Sequence, residues 1–321
     1  MSKTKRNNQK KSSRKTLKKH ENITNQLQNY PIEEIEKEFQ KLRDMTRKQI
    51  LQANGRTRLG NKVVDHYTLV ERLHSKGDQN VSFYEFWEKR KSYSKKPYIK
   101  KMIDFYKSRQ VPTIRKMKYI YNLYFSNIAI FRPVMAMEVY CRVNAKRLLD
   151  FTMGWGGRLV GACALNLEAY YGIDSNTHLR KPYESLTHFL QSQTPSIKTE
   201  INLQFQDALT VDYSKMDYDT VFTSPPYYDI ERYRNMSQKY KTKEMWNKEF
   251  YQPLFHMTYN AMKVGGHYCI NISQEIYESA CVPILGKCGR KIRLKKGERL
   301  LNNTTKPVYT EYIYIWKKKT K

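Results

Sequence analysis

The chain is 321 residues long, 40% apolar, and sets 59 basic against 30 acidic side chains, a formal net charge of +29. Such a length allows one large domain or two modest ones, with enough apolar residues for a globular core. No apolar run approaches the ~20 residues needed to span a bilayer, and the basic N-terminus has no hydrophobic segment, so neither a membrane span nor a secretory signal is expected.

An excess of positive charge this large opposes compaction by self-repulsion unless a polyanion neutralises it, and nucleic acid is the polyanion expected. Ribosome-like stickiness or a targeting tract is the plainer explanation of the same charge. Five cysteines, Cys141, Cys163, Cys269, Cys281 and Cys288, are scattered and form no C-x-x-C pair. Reduced thiols in a cytoplasmic compartment follow from that pattern. Cys281 and Cys288 match no usual zinc spacing, so no metal site is expected.

Residues 1–20 hold many lysines and arginines and no acid. They are expected to form a disordered basic arm reaching to about residue 25. From Pro31 the pattern changes. Ile32, Ile35, Phe39 and Leu42 recur at helical spacing, with Glu33, Glu34, Glu36 and Glu38 near the front, where acids complement the helix dipole. Asn54-Gly55 is the expected stop. Residues 60–120 read as further short helices, dense in aromatic and basic side chains such as Phe83, Trp87, Tyr98 and Phe105. This region, 26–118, is either a nucleic-acid surface or a small helical core with a solvated cationic face.

From 119 to 321 strands and helices alternate. Strands are expected at Arg147–Phe151, Ala169–Ile173, Ile201–Phe205, Thr220–Phe222, His267–Ile272 and Tyr309–Trp316. Helices are expected at Val134–Ala145, Arg158–Asn166, Tyr183–Gln191 and Glu244–Met262. The alternation predicts an α/β fold with a mostly parallel, Rossmann-like sheet covered on both faces. In such sheets ligands bind outside the carboxyl ends of the strands.

Those ends carry the informative residues. Asp150 closes the first strand and leads into Phe151-Thr152-Met153-Gly154-Trp155-Gly156-Gly157, where the glycines permit a tight turn and close approach of a ligand. Asp174 closes the second strand, well placed to accept two ribose hydroxyls. Asp207 follows the third and could meet an adenine amino group, or serve as a helix cap. Trp155 either lines a pocket or packs between helix and sheet. The fourth strand runs into Ser224-Pro225-Pro226-Tyr227. Two prolines cannot continue a ladder, so the strand ends and nearby carbonyls lose their ladder partners. A rigid turn with free carbonyls and a ring face suits a flat ligand carrying an amino group, such as a nucleobase.

Ser224-Pro225-Pro226-Tyr227 resembles the (Asn/Asp/Ser)-Pro-Pro-(Tyr/Phe/Trp) element of the S-adenosylmethionine-dependent DNA methyltransferases that modify adenine N6 or cytosine N4. The likeness covers about residues 130–275 and the late strand near 309–316. The glycine turn looks like the family's Asp-Pro-Phe-x-Gly-x-Gly motif, with Phe151 and Thr152 replacing Pro and Phe. Its Gly-Trp-Gly-Gly-Arg form is similar to a branch from phages and large viruses, which would place the protein at a nucleoid or in a host cytoplasm. Phe131-Arg132-Pro133 is the weaker counterpart of a segment that helps enclose the cofactor.

The resemblance implies a seven-stranded methyltransferase sheet with S-adenosylmethionine as cofactor and DNA as partner. It implies cofactor contacts at Asp150, Thr152, Gly154, Trp155, Gly156, Asp174 and Asp207, with Asp150 near the methionine amino group. It implies a flipped base held by Ser224, the carbonyl of Pro225, Pro226 and the ring of Tyr227. RNA methylation and a catalytically silent nucleic-acid-binding protein are the competing expectations. The polar segment Asp229–Asn235 reads as a loop over the substrate or a plain surface loop. Target recognition would fall to the N-terminal helices or to the basic insertion at 286–306.

Overall fold

The computed structural model describes residues 18–28, 30–53, 57–77, 79–125, 128–228, 233, 239–293 and 312–320. The described strands are β1 (Arg147–Asp150), β2 (Ala169–Ile173), β3 (Glu200–Gln204), β4 (Thr220–Thr223), β5 (His267–Ile272), β6 (Arg290–Arg293) and β7 (Tyr312–Lys317). They form a seven-stranded sheet in the order β3-β2-β1-β4-β5-β7-β6. Strand β7 runs antiparallel to β5 and β6, and the β1, β2, β3, β4 and β5 pairings are parallel. This is the mostly parallel, Rossmann-like α/β sheet expected, seven-stranded. The chain builds outward from β1 to β3 and then returns to lay β4 beside β1, which makes the β1–β4 boundary the topological switch point.

Side chains alternate across the sheet with the strand period of two. Leu148, Tyr170, Phe222, Cys269, Ile313 and Ile315 enter one core, and Leu149, Tyr171, Val221, Tyr268, Tyr314 and Trp316 enter the other. Both faces are therefore covered, and the central strands read as nearly continuous apolar runs.

The longer helices are α1 (Ile32–Arg43), α2 (Arg47–Gln52), α3 (Asn61–His74), α4 (Phe83–Glu88), α5 (Pro97–Lys107), α6 (Thr113–Tyr124), α7 (Pro133–Val143), α8 (Gly157–Ala164), α9 (Arg180–Gln191) and α10 (Gln252–Ala261). The single helix expected from Ile32 onward is two, because Thr46 and Gln49 form a capping box that starts α2 afresh. Its expected stop at Asn54-Gly55 lies outside the described residues. Residues 18–27 are helical, so the described part of the basic arm is ordered. The rest of the arm lies outside the described residues, as does most of the 229–235 loop.

The core does not divide at residue 118. Ile35, Phe39, Leu42, Ile50, Val63 and Val64 from α1, α2 and α3 share one apolar cluster with Val134, Leu159 and Phe222. A separate cluster joins Phe83, Phe86, Ile99, Met117, Ile120 and Tyr121 of α4, α5 and α6. Leu69 and Leu73 of α3 belong to that second cluster, so α3 bridges the two. Among the described residues, no helix is long and apolar enough to cross a membrane.

Candidate active site

The glycine turn after β1 is shaped by backbone demands. Gly154 and Gly156 sit at φ 56° and 89°, conformations a side chain disfavours. A Cβ on Gly157 would lie 1.8 Å from the Phe131 carbonyl oxygen, so no larger residue fits there. Phe131 therefore packs directly on the turn. Gly156 is buried, with Leu186 Cδ2 3.0 Å from where its Cβ would be. It serves helix packing, and within the turn Thr152 and Gly154 are the partly exposed members.

Asp150 is 0% exposed. Its Oδ2 accepts bonds from Arg158 Nε at 2.6 Å and the Tyr170 hydroxyl at 2.7 Å, and its Oδ1 from Thr223 Oγ1 at 2.8 Å. Where a contact with a cofactor amine was expected, the Asp150 carboxylate is enclosed and accepts from three side chains. Its role here is to tie β1, β2, α8 and β4 together. Burial alone lowers the pKa of Arg158, but the charge and hydrogen bond of Asp150 outweigh it, so the net shift is upward. Arg158 also donates to the Thr152 carbonyl.

Thr223 links the two halves of the switch point. It has one hydroxyl proton, which goes to Asp150. The Thr152 hydroxyl, 2.5 Å away, must then donate to Thr223, as does the Thr152 backbone N–H at 3.2 Å. The glycine turn is thereby bonded to the residue that precedes Ser224.

Asp174, at the tip of β2, is half-buried. Its Oδ2 accepts the Gly154 N–H at 2.9 Å and its Oδ1 the Asn176 N–H at 2.8 Å. Burial raises its pKa to about 6, the N–H bonds only partly opposing this; Asp150 raises it further and Arg158 lowers it. A carboxyl raised in the folded state contributes stability below its unfolded pKa and loses that contribution as pH rises through the folded value. Holding Asp174 ionised above pH ~6 thus costs stability, so between pH 5 and 8 the melting temperature of the wild type should fall relative to that of Asp174→Asn. If the ionised group receives ribose hydroxyls, cofactor affinity should rise roughly tenfold from pH 5 to 7. Calorimetric titration would check this, and Asp174→Asn should flatten the profile.

Trp155 is buried within the core shared by sheet and helices. Its carbonyl shares the one hydroxyl proton of Thr68 on α3 with the Val64 carbonyl, at 3.0 and 2.9 Å, and its ring meets Tyr233 edge-on with centroids 5.7 Å apart. Asp207 is exposed, and its side chain accepts the Leu209 N–H at 3.0 Å, capping the short turn Ala208–Thr210. The cap is the part of the Asp207 expectation that the structure places.

The Pro-Pro turn is held from two sides. Asn271 of β5, only 4% exposed, donates through Nδ2 to Ser224 Oγ at 3.0 Å and to the Tyr227 hydroxyl at 3.1 Å. Tyr227 donates back to the Asn271 carbonyl at 3.3 Å. From the other side, the Tyr251 hydroxyl donates to the Pro226 carbonyl and accepts the Tyr228 N–H at 3.0 Å. Tyr228 occupies the left-handed region at φ 51°, a cost that this clamp offsets. Tyr251 closes a π-helical turn, Trp246–Tyr251, a form often found beside functional sites. Among the described residues, no donor reaches the carbonyls of Ser224 and Pro225, whereas that of Pro226 is taken.

Sequence reasoning missed Asn271, Tyr251, Thr223 and Arg158. Asn271 had a signal, a polar residue within the buried run Tyr268–Ile272. Tyr251 had none. We expect Tyr251→Phe, which leaves the Pro226 carbonyl and Tyr228 N–H unpaired, to cost about 1–3 kcal/mol in chemical denaturation.

No protein-family model matches the chain, and neither does any curated protein. Among solved structures, it is similar to TrmN from Thermus thermophilus at 14% identity and TM-score 0.41, over 58% of this chain and 48% of that one. An rRNA methylase from Streptococcus thermophilus shares 15% identity at TM-score 0.38, over 60% and 99% of the two chains. The type I restriction-modification methyltransferase subunit of Streptococcus thermophilus shares 18% at TM-score 0.39, over 59% and 44%. The matched part thus spans about half of the Thermus protein. At these scores the likeness transfers no residue role, and the fold rests on the strand order itself.

Proposed function

We propose that this protein transfers the methyl group of S-adenosylmethionine to an exocyclic amino group, cytosine N4 or adenine N6, of a base in DNA. The observation that carries the reading is the unbroken bonded path Asp174–Gly154, Thr152–Thr223, then Ser224-Pro225-Pro226-Tyr227 across the switch point. On this reading the cofactor side and the base side lie together at the carboxyl ends of β1, β2 and β4.

The residues present fit the cofactor. Asp174 is partly exposed at a strand tip and Gly154 leaves its backbone open to close approach, with nothing nearer than 3.8 Å to where a Cβ would stand. Bound there, the cofactor supplies a methyl group on a positively charged sulfur. Asp174 would accept the ribose hydroxyls. On the other side, Ser224 Oγ has a lone pair left after its bond from Asn271, and the Pro225 carbonyl is available.

An exocyclic amine shares its lone pair with the ring and is a poor nucleophile. Accepting its two hydrogens at Ser224 and Pro225 localises that pair on nitrogen and aims it. With the cofactor bound to supply the methyl group, the amine proton released on transfer would leave along Ser224 Oγ and the Pro225 carbonyl to water. Tyr227 stacks on the base, its hydroxyl pinned so that the ring is preset. Positioning of this kind can remove roughly 7–11 kcal/mol of barrier.

Tritiated methyl transfer to duplex DNA, single-stranded DNA and total RNA, followed by digestion and mass analysis of the labelled nucleoside, tests this. N4-methylcytosine or N6-methyladenine from DNA is the expected product. Label only in RNA would assign the protein to RNA, and no cofactor binding at millimolar concentration would leave a silent binder.

A further inference from the structure

The helical region 26–118 was open to two readings, a packed core or a nucleic-acid surface, and the structure separates them residue by residue. On α5, Ile99, Met102, Ile103 and Tyr106 form the inward stripe at helical spacing. Tyr98 and Phe105 lie off that stripe, each 43% exposed, with exposed Lys101 between them at spacings of three and four residues. On α6, Ile114, Met117, Ile120 and Tyr121 face inward, while Tyr119 points out at 47% exposure. The core thus covers each of these rings only in part.

Their surroundings are cationic. From Lys89 to Tyr124 there are twelve lysines and arginines and one acid, Asp104. Arg109 lies 4.3 Å over the Phe105 ring, and Lys96 within 6.0 Å of Tyr98. Tyr106 bridges the helices by meeting Tyr119 at 5.5 Å. The hairpin sits near the proposed site, because its core includes Leu69 and Leu73 of α3 and the same helix holds the Trp155 carbonyl through Thr68.

We propose that the α5–α6 hairpin is a docking surface for unpaired nucleotides, with Tyr98, Phe105 and Tyr119 as stacking platforms and the interleaved lysines and arginines tracking the phosphates. This deepens the nucleic-acid reading above and rests on it. Partly exposed rings interleaved with cations match unstacked bases and their phosphates. A regular duplex offers phosphates but no free base face. The strand opened around a flipped base would supply such nucleotides.

The test is fluorescence anisotropy on the full chain with a labelled 20-nucleotide oligothymidylate and a duplex of equal length. Oligothymidylate has no exocyclic amine, so its binding is read apart from methyl transfer. The variant Tyr98→Ser/Phe105→Ser/Tyr119→Ser should weaken oligothymidylate binding at least tenfold and duplex binding less than twofold. Lys96→Gln/Lys100→Gln/Lys101→Gln should weaken both and lower the salt slope for the single strand by about 2, at roughly 0.7 per lost phosphate contact. Wild-type binding by both variants, equal losses on duplex and single strand in the aromatic variant, or equal competition by polyglutamate would each overturn the proposal. If the wild type methylates DNA while the variants bind normally, the hairpin assignment fails and the enzymatic reading stands.

Discussion

Ser224→Ala is expected to lower the methyl-transfer rate by about 100-fold or more while leaving cofactor affinity within twofold. The reason is local. Ser224 offers an amine hydrogen a hydroxyl acceptor beside the open Pro225 carbonyl, and the substitution removes no group that touches Asp174 or Gly154. Tyr227→Ala should act differently, raising the substrate concentration needed for half-maximal rate, since a stacked base is worth roughly 1–3 kcal/mol. Tyr227→Phe keeps the ring and loses only its bonds to Asn271, so it should sit between the wild type and Tyr227→Ala. Single-turnover and steady-state kinetics together separate these effects. A wild-type rate for Ser224→Ala would mean that the base is held elsewhere.

Arg158→Met should be the most destabilising of the changes considered. It leaves the Asp150 carboxylate, 0% exposed, without its cationic partner. Stranding one member of a buried ion pair costs about 3–5 kcal/mol, which for a chain of this size lowers the melting temperature by roughly 10 °C. The double variant Asp150→Asn/Arg158→Met removes the stranded charge and should recover much of that loss. Differential scanning calorimetry decides the matter: a double variant no more stable than Arg158→Met would show that packing, not charge, is what Arg158 supplies.

The sheet was legible because its central strands are buried on both faces and read as short apolar runs punctuated by strand-tip motifs. Ala169–Ile173 and His267–Ile272 appear with the bounds expected. Strand β6 escaped notice because Arg290-Lys291-Ile292-Arg293 is an edge strand, and edges carry charges that blunt further pairing. The Thr46–Gln49 capping box was visible in the residues and would have divided the first helix. The core boundary was not visible, since periodicity gives a helix its apolar face but not the partner that face meets. The same limit applies at the site. Asp150, Asp174 and Ser224 could be placed at strand ends, yet the burial of Asp150 depends on Arg158, Tyr170 and Thr223, which come from three other elements.

Helix α3 stands with Thr68 on the glycine turn and the adjoining Leu69 and Leu73 in the hairpin's core. A single rigid rod seated in two places gives each place leverage over the other. To whatever degree an oligonucleotide on the hairpin shifts that seat, the affinity for cofactor changes by some factor, and cofactor returns the same factor to the oligonucleotide. The order in which the two arrive then alters the path but not the sum.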